Sequence, residues 1–250
     1  MIVARTRPKG IYLLPSLLTI IALFSGFYAI IAAFKGHYVS SCMAIYAAMI
    51  FDGLDGRVAR LMNASTAFGA EFDSISDMVS FGIAPALLLY TWSLHFLGKP
   101  GWLTAFLYAT CTGLRVARFN VYLGKIDKRY FQGLATPNAA AFVAGLVWTC
   151  EKYKIAGYSI LFGVTLLTIV LALLKVSTIR YRSFKDIDIS GRVPFLAILL
   201  AVVLIVLISF DPPLMLLIGF SMYILSGPIG AIWRWQHRRH SRRQRQAHET

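Results

Sequence analysis

Five carboxylates crowd residues 52–77, DGLDGRVARLMNASTAFGAEFDSISD, in a chain of 250 residues that carries only 11 acidic side chains. They are Asp52, Asp55, Glu71, Asp73 and Asp77, flanked by apolar sequence, AAMI before and MVSFGIAPALLLY after. Ionisable groups at membrane depth are costly, so they mark function by default. On helices, Asp52 and Asp55 (i, i+3) share one face, and Asp73 and Asp77 (i, i+4) share another. Four carboxylates converging in this way repel, and each is driven toward protonation. Two divalent cations would cancel the four charges, and an all-oxygen ligand set suits Mg²⁺ or Mn²⁺ better than zinc.

The neighbouring residues extend that chemistry. Gly53, Gly56, Ala59, Gly69 and Ala70 leave room for a bulky group to approach the backbone. Arg60 lies on the Asp52/Gly56 face and could hold a phosphate. A hard-metal pair beside an arginine and a glycine-lined groove is equipment for phosphoryl transfer. Buried ion pairs between helices are the bland alternative, but too few basic residues lie at matching depth. A divalent-cation transporter is the alternative of another class. Against it, the acids cluster at one membrane face instead of spanning the depth.

These residues need a membrane scaffold. A hydrophobic fraction of 58% with 14% charged residues lies outside the usual range of a soluble domain, and the mean hydropathy is +0.66. Eight stretches are apolar and near span length: 13–34, 38–62, 71–97, 101–122, 135–151, 156–176, 193–210 and 213–234. The expected fold is an all-α polytopic helix bundle with no separate soluble domain. Residues 1–190 form its catalytic core, 191–234 add two helices, and 235–250 are a basic, solvated cytoplasmic tail. The basic start of the chain resembles a signal peptide, but the following apolar stretch is long enough to be retained as a first span. The fifth stretch is the weakest span, being short and rich in small residues. Asp211-Pro212-Pro213 separates the last two as a tight hairpin.

Charge sets the orientation. With the N-terminus inside, 21 lysines and arginines fall on the cytoplasmic side and 4 outside. Both termini are then cytoplasmic, as is the turn near residues 62–70 that joins the two acidic helices. The net charge of +14 is met by an anionic bilayer surface and does not call for nucleic acid. Loop residues Arg180, Arg182, Lys185, Asp186 and Asp188 belong to the same inner side. Cys42, Cys111 and Cys150 lie in apolar runs at spacings that suggest neither a disulfide framework nor a metal site.

The string Asp52-x2-Asp55-Gly56-x2-Ala59-Arg60-x8-Gly69-x3-Asp73-x3-Asp77 resembles, position for position, the signature of the CDP-alcohol phosphotransferase family. The stretch from Phe72 to Ala86 looks like its phosphatidylserine synthase branch, as do Arg115–Asn120, Phe131–Pro137 and Lys175–Tyr181. The first span departs from the branch pattern in carrying Ser16 and Ala22 where asparagines are usual, and Ala135 stands where proline is common.

The resemblance implies an integral membrane enzyme of the bacterial inner membrane that displaces CMP from CDP-diacylglycerol by an alcohol at the cytoplasmic face. Metals would be held by Asp52, Asp55, Asp73 and Asp77, with Asp77 also the general base. Asp52, Gly56, Arg60, Gly69 and Asp73 would line the CDP site. The branch points to serine as acceptor; glycerol phosphate, inositol phosphate and choline are the alternatives. A serine carboxylate needs a cation, for which Arg115 and Arg118 are candidates, with Asn120 beside them. Family members are often homodimers.

Overall fold

The computed structural model describes residues 13–62, 66–122, 130–182 and 195–248. The helices are α1 (Leu13–Phe34), α2 (Tyr38–Leu61), α3 (Ala67–Asp77), α4 (Ala84–Trp92), α5 (Lys99–Tyr122), α6 (Thr136–Lys152), α7 (Leu161–Val176), α8 (Phe195–Phe210) and α9 (Pro212–His248). A π-helical segment, Met78–Ile83, joins α3 to α4, so Ala67–Trp92 is one continuous rod. Among the described residues the only strands are β1 (Tyr130–Gln132) and β2 (Arg180–Arg182), paired antiparallel with Phe131 opposite Tyr181. Basic residues 5–9 and 125–129, and the loop residues Lys185, Asp186 and Asp188, lie outside the described residues.

The fold is all-helical as expected. Four helical stretches are long and apolar enough to cross a membrane: Leu14–Phe34, Ala67–Trp92, Gly157–Val176 and Pro212–Ala231. The outward faces carry Phe24, Phe162 and Phe210 at 68%, 80% and 88% exposure. Large apolar side chains displayed on that scale require lipid around them. The protein is therefore an integral membrane protein.

Small residues build the interior, because without a hydrophobic drive between helices in lipid, close backbone approach must supply the packing. α6, short and rich in alanine, is the central helix: Ala139, Ala140, Ala141, Val143, Ala144 and Val147 are wholly buried. Its modest hydropathy follows from facing protein instead of lipid. The Tyr46 hydroxyl of α2 donates to the Ala141 carbonyl at 2.7 Å. Gly145 lets α9 approach so closely that a Cβ there would stand 3.3 Å from Leu217 Cα.

The π segment has a local cause. Pro85, at the start of α4, has no N–H to donate and its ring would collide with the carbonyl four residues earlier. A widened turn just upstream accommodates it. The same segment lies against α1, where the Ser80 hydroxyl donates to the Ala22 carbonyl at 3.2 Å. A Cβ on Gly26 would stand 2.7 Å from Ser80 Cα, so only glycine permits this crossing.

Asp211 fixes the hairpin between α8 and α9. Its carboxylate pairs with Lys152 at 2.9 Å and accepts from the Tyr153 hydroxyl at 2.8 Å and from the Leu214 backbone N–H at 3.3 Å. The last is helix N-capping. The bond from Lys152 is the foremost reason that the carboxyl is held below its ordinary 3.8, with Tyr153 and Leu214 adding to it against partial desolvation. From this turn α9 runs unbroken to His248 and contains the candidate membrane span Pro212–Ala231. The basic tail thus continues the last helix.

Candidate active site

Antiparallel succession brings the C-terminal turns of α2 and the first turns of α3 to one end of the bundle. Thr66, in extended conformation, caps α3 by accepting from the Gly69 N–H at 3.0 Å. One carboxylate oxygen from each of Asp52, Asp55 and Asp73 lies within 4.8 Å of the other two. Asp77 lies within electrostatic reach of Asp73, Asp52 and Asp55, and carboxylates grouped in this way repel unless a proton or a cation offsets their charge. Asp77 Oδ1 is also buried without a hydrogen-bond partner among the described residues. Oxygen donors on three sides, together with an unused buried carboxylate oxygen, fit a hard divalent cation. Of the four aspartates singled out in the sequence, Asp52, Asp55 and Asp73 form this group, and neither Asp77 nor the exposed Glu71 is part of it.

The first span contributes more than its sequence suggested. Thr19 Oγ1 donates to Asp55 Oδ2 at 2.6 Å, a contact with both partners buried. The Thr19 carbonyl in turn accepts from Ser76 Oγ at 3.4 Å. α1 therefore orients an acid of α2 while holding the helix that carries Asp73 and Asp77. A threonine in an apolar span is unremarkable as composition. Its signal lay only in the register of Thr19, Ser76 and Ser80 across two helices.

The glycines of α2 face open space. A Cβ on Gly53 would meet nothing within 4 Å, and one on Gly56 would meet only the Arg60 guanidinium, at 3.7 Å. Arg60 itself is exposed.

The three acceptor candidates separate. Arg115 is the one near the acids, with its charge facing Asp77. Its Nη1 donates to Thr136 Oγ1 at 3.4 Å, and its Nε is buried and lacks a partner among the described residues. Arg118 Nη1 donates to the Val176 carbonyl at 3.0 Å and so ties α5 to the end of α7. Asn120 Nδ2 donates to Ser74 Oγ at 3.0 Å, fastening α5 to α3. These two bonds give Arg118 and Asn120 helix-joining roles.

Lys175 also lies here and escaped the sequence reading as a site residue. It is 1% exposed, with Nζ donating to Thr112 Oγ1 at 2.7 Å and standing 3.1 Å from the centre of the Tyr108 ring. Gly133, at φ +80°, places its Cα against the Lys175 carbonyl region, where a Cβ could not fit. This packing joins the loop after β1 to the end of α7.

Comparison with known proteins agrees with this geometry. Residues 12–174 match the family model described as CDP-alcohol phosphatidyltransferase. A CDP-diacylglycerol–serine O-phosphatidyltransferase of Helicobacter pylori J99 is 34% identical over 228 residues, covering 88% of this chain and 91% of the relative. Proteins of the same name are similar over shorter lengths. The one from Methanocaldococcus jannaschii is 36% identical over 148 residues, 59% of this chain and 66% of the relative. The one from Saccharomyces cerevisiae is 38% identical over 143 residues, 52% of this chain and 51% of the relative.

Proposed function

This chain belongs to the CDP-alcohol phosphatidyltransferase family of transferases, and on that premise we propose that it transfers the phosphatidyl group of CDP-diacylglycerol to the hydroxyl of L-serine, giving phosphatidylserine and CMP. The carrying observation is the convergence of Asp52, Asp55 and Asp73, with Asp77 within electrostatic reach of them. The serine acceptor is supported by the printed activity of the Helicobacter relative, which aligns over nearly the whole chain.

Asp52, Asp55, Asp73 and Asp77 would hold two divalent cations, Mg²⁺ or Mn²⁺, which when bound neutralise the pyrophosphate and the departing CMP. The nucleotide diphosphate would approach the open faces of Gly53 and Gly56, where Arg60 would hold a phosphate oxygen. Gly69, at the capped start of α3, would line the same site. Asp77 accepts the serine hydroxyl proton at Oδ1, the oxygen without a hydrogen-bond partner among the described residues. The serine oxygen then forms its bond to the lipid-side phosphorus as the bond from that phosphorus to the CMP oxygen breaks. Arg115, beside Asp77, offers a cation to the serine carboxylate.

All of these groups sit at one end of the bundle, and the 21-to-4 distribution of basic residues supports a cytoplasmic position for it. This clustering also weighs against a cation-transport path, which would need acids through the depth. The test is CMP release by the purified protein from CDP-diacylglycerol, with and without Mn²⁺, offering serine, glycerol phosphate, inositol phosphate or choline. Serine-dependent, metal-dependent release is expected. Release with another alcohol alone would overturn the acceptor, and no release with any would overturn the reaction.

A further inference from the structure

Lys175 is the first residue beyond the segment matched by the family model, which ends at residue 174, and its charge has no part in the transfer chemistry. The side chain is wholly buried, and no acidic side chain pairs with it among the described residues. A buried ammonium without a counter-charge is costly, and at membrane depth such a group marks function by default. It stands in the last turn of α7, where the final carbonyls of the helix favour a cation. From there Nζ reaches α5, donating to Thr112 Oγ1 beside the Tyr108 ring.

The end of α7 grips α5 at two points that bracket Arg115. Thr112, about one helical turn before Arg115, takes the Lys175 ammonium at 2.7 Å. Arg118, about one turn after it, donates to the Val176 carbonyl at 3.0 Å. The same turn of α7 seats the residue that receives Arg115. The Leu134 N–H donates to the Leu174 carbonyl at 3.0 Å, and Gly133 lies so near the Lys175 carbonyl that a Cβ would collide with it. Two residues after Leu134, the wholly buried Thr136 accepts from Arg115 Nη1. The helix that carries Arg115 and the loop that holds its guanidinium are thus both registered on Leu174, Lys175 and Val176.

We propose that Lys175 is a positioning residue for the acceptor alcohol, its bond to Thr112 holding α5 in the register at which Arg115 receives the carboxylate of an amino-acid alcohol. The inference rests on the serine-acceptor reading above. Arg115 keeps a buried Nε–H without a partner among the described residues, a donor whose missing acceptor a ligand can supply. Its aim depends on where α5 sits, and a misplacement of about 1 Å can cost roughly 10²-fold. Of the ties to the end of α7, those from Arg118 and Leu134 end on backbone carbonyls. The bond from Lys175 is made by a side chain of α7, so a single substitution removes it and leaves the backbone ties in place.

The experiment measures CMP release by Lys175→Met, Thr112→Val and Thr112→Ser, varying serine and CDP-diacylglycerol separately. Methionine keeps the apolar body of the lysine and removes the ammonium; valine removes the receiving oxygen, and serine retains it. Lys175→Met should raise the serine KM roughly tenfold or more, the loss expected of one hydrogen bond to a charged group. Its kcat and its KM for CDP-diacylglycerol should change little, because the aspartates and the open glycine faces belong to α2 and α3. Thr112→Val should match it, and the two together should go no further than either alone, since both remove one bond. Thr112→Ser should show the serine KM of wild type. An unchanged serine KM in active Lys175→Met or Thr112→Val enzyme would overturn the inference and leave the reaction standing. So would an equal rise in both KM values, or a Thr112→Ser enzyme as impaired as Thr112→Val. If Lys175→Met fails to fold, the two Thr112 variants decide alone. Wild-type protein that releases no CMP with serine would instead refute the reading on which the inference rests.

Discussion

The bond from Thr19 to Asp55 gives the most direct test of how the first helix serves the carboxylate cluster. At 2.6 Å it falls in the short range of an O–H donating to a carboxylate. Both residues are buried, at 5% exposure each, so water cannot replace the donor. Thr19→Val substitutes a methyl for the hydroxyl at nearly constant volume and opens no cavity. The second contact of that hydroxyl, to the Pro15 carbonyl at 3.1 Å, is longer and competes for the same single proton. The loss is thus assigned to Asp55.

A hydrogen bond to a charged group is worth about 1.5–3 kcal/mol, which at about 1.4 kcal/mol per decade is roughly 10- to 100-fold in an equilibrium constant. Loss of a group that orients a metal ligand characteristically costs about the same factor in metal affinity. The apparent Mn²⁺ half-saturation for CMP release should therefore rise by roughly 10- to 100-fold, and direct Mn²⁺ binding, followed by electron paramagnetic resonance, should weaken in parallel. Thr19→Ser retains the donor and should behave like wild type. If Thr19→Val bound Mn²⁺ as wild type does, or if Thr19→Ser were equally impaired, the assignment of Thr19 to the site would be wrong.

Asp77→Asn removes the proton acceptor while keeping the shape; turnover should fall by about 10²–10⁴-fold, and measured Mn²⁺ binding should survive through the remaining three aspartates. Gly26→Ala and Gly53→Ala form a contrasting pair. The first places a methyl against the Ser80 backbone and should cost about 1–3 kcal/mol, seen as a lower Tm in detergent. The second meets nothing within 4 Å and should leave Tm unchanged. For Asp211, whose folded carboxyl titrates below its ordinary 3.8, the unfolded chain takes up its proton first as pH falls. Its contribution is therefore fully present above pH 3.8 and disappears as pH drops through the lower folded value. Asp211→Asn should lower Tm at neutral pH and flatten its decline below pH 4 relative to wild type, and an identical decline in both would refute the ion-pair assignment.

The order and limits of the helices were legible because apolar run length and proline placement are local properties. The second and fourth stretches, expected at 38–62 and 101–122, end within about two residues of α2 and α5. The aspartate cluster was legible for a related reason, since four acids at i, i+3 and i, i+4 spacing on adjacent helices have few ways to avoid one another. What was hidden depends on which helix faces which. Nothing in Thr19 by itself announces Asp55, 36 residues away. The π segment arises from Pro85 acting on a helix already packed against Gly26, a conjunction no single window contains. α6, the weakest of the expected spans, is not among the four stretches long and apolar enough to cross a membrane, and its small residues serve close packing inside the bundle.

The acceptor side shows the same divide more sharply. Arg115, Arg118 and Asn120 all lie in the last two turns of α5, and sequence spacing gives them equal claims. Packing separates them: Val176 takes Arg118, Ser74 takes Asn120, and Arg115, near Asp77, keeps a buried Nε–H without a partner among the described residues. The aspartate motif is contained in two consecutive helices, so a compact signature records it. The setting of Arg115 depends instead on bonds from α5 to α6, α7 and α3, which form only in the folded bundle, so no such signature can record it.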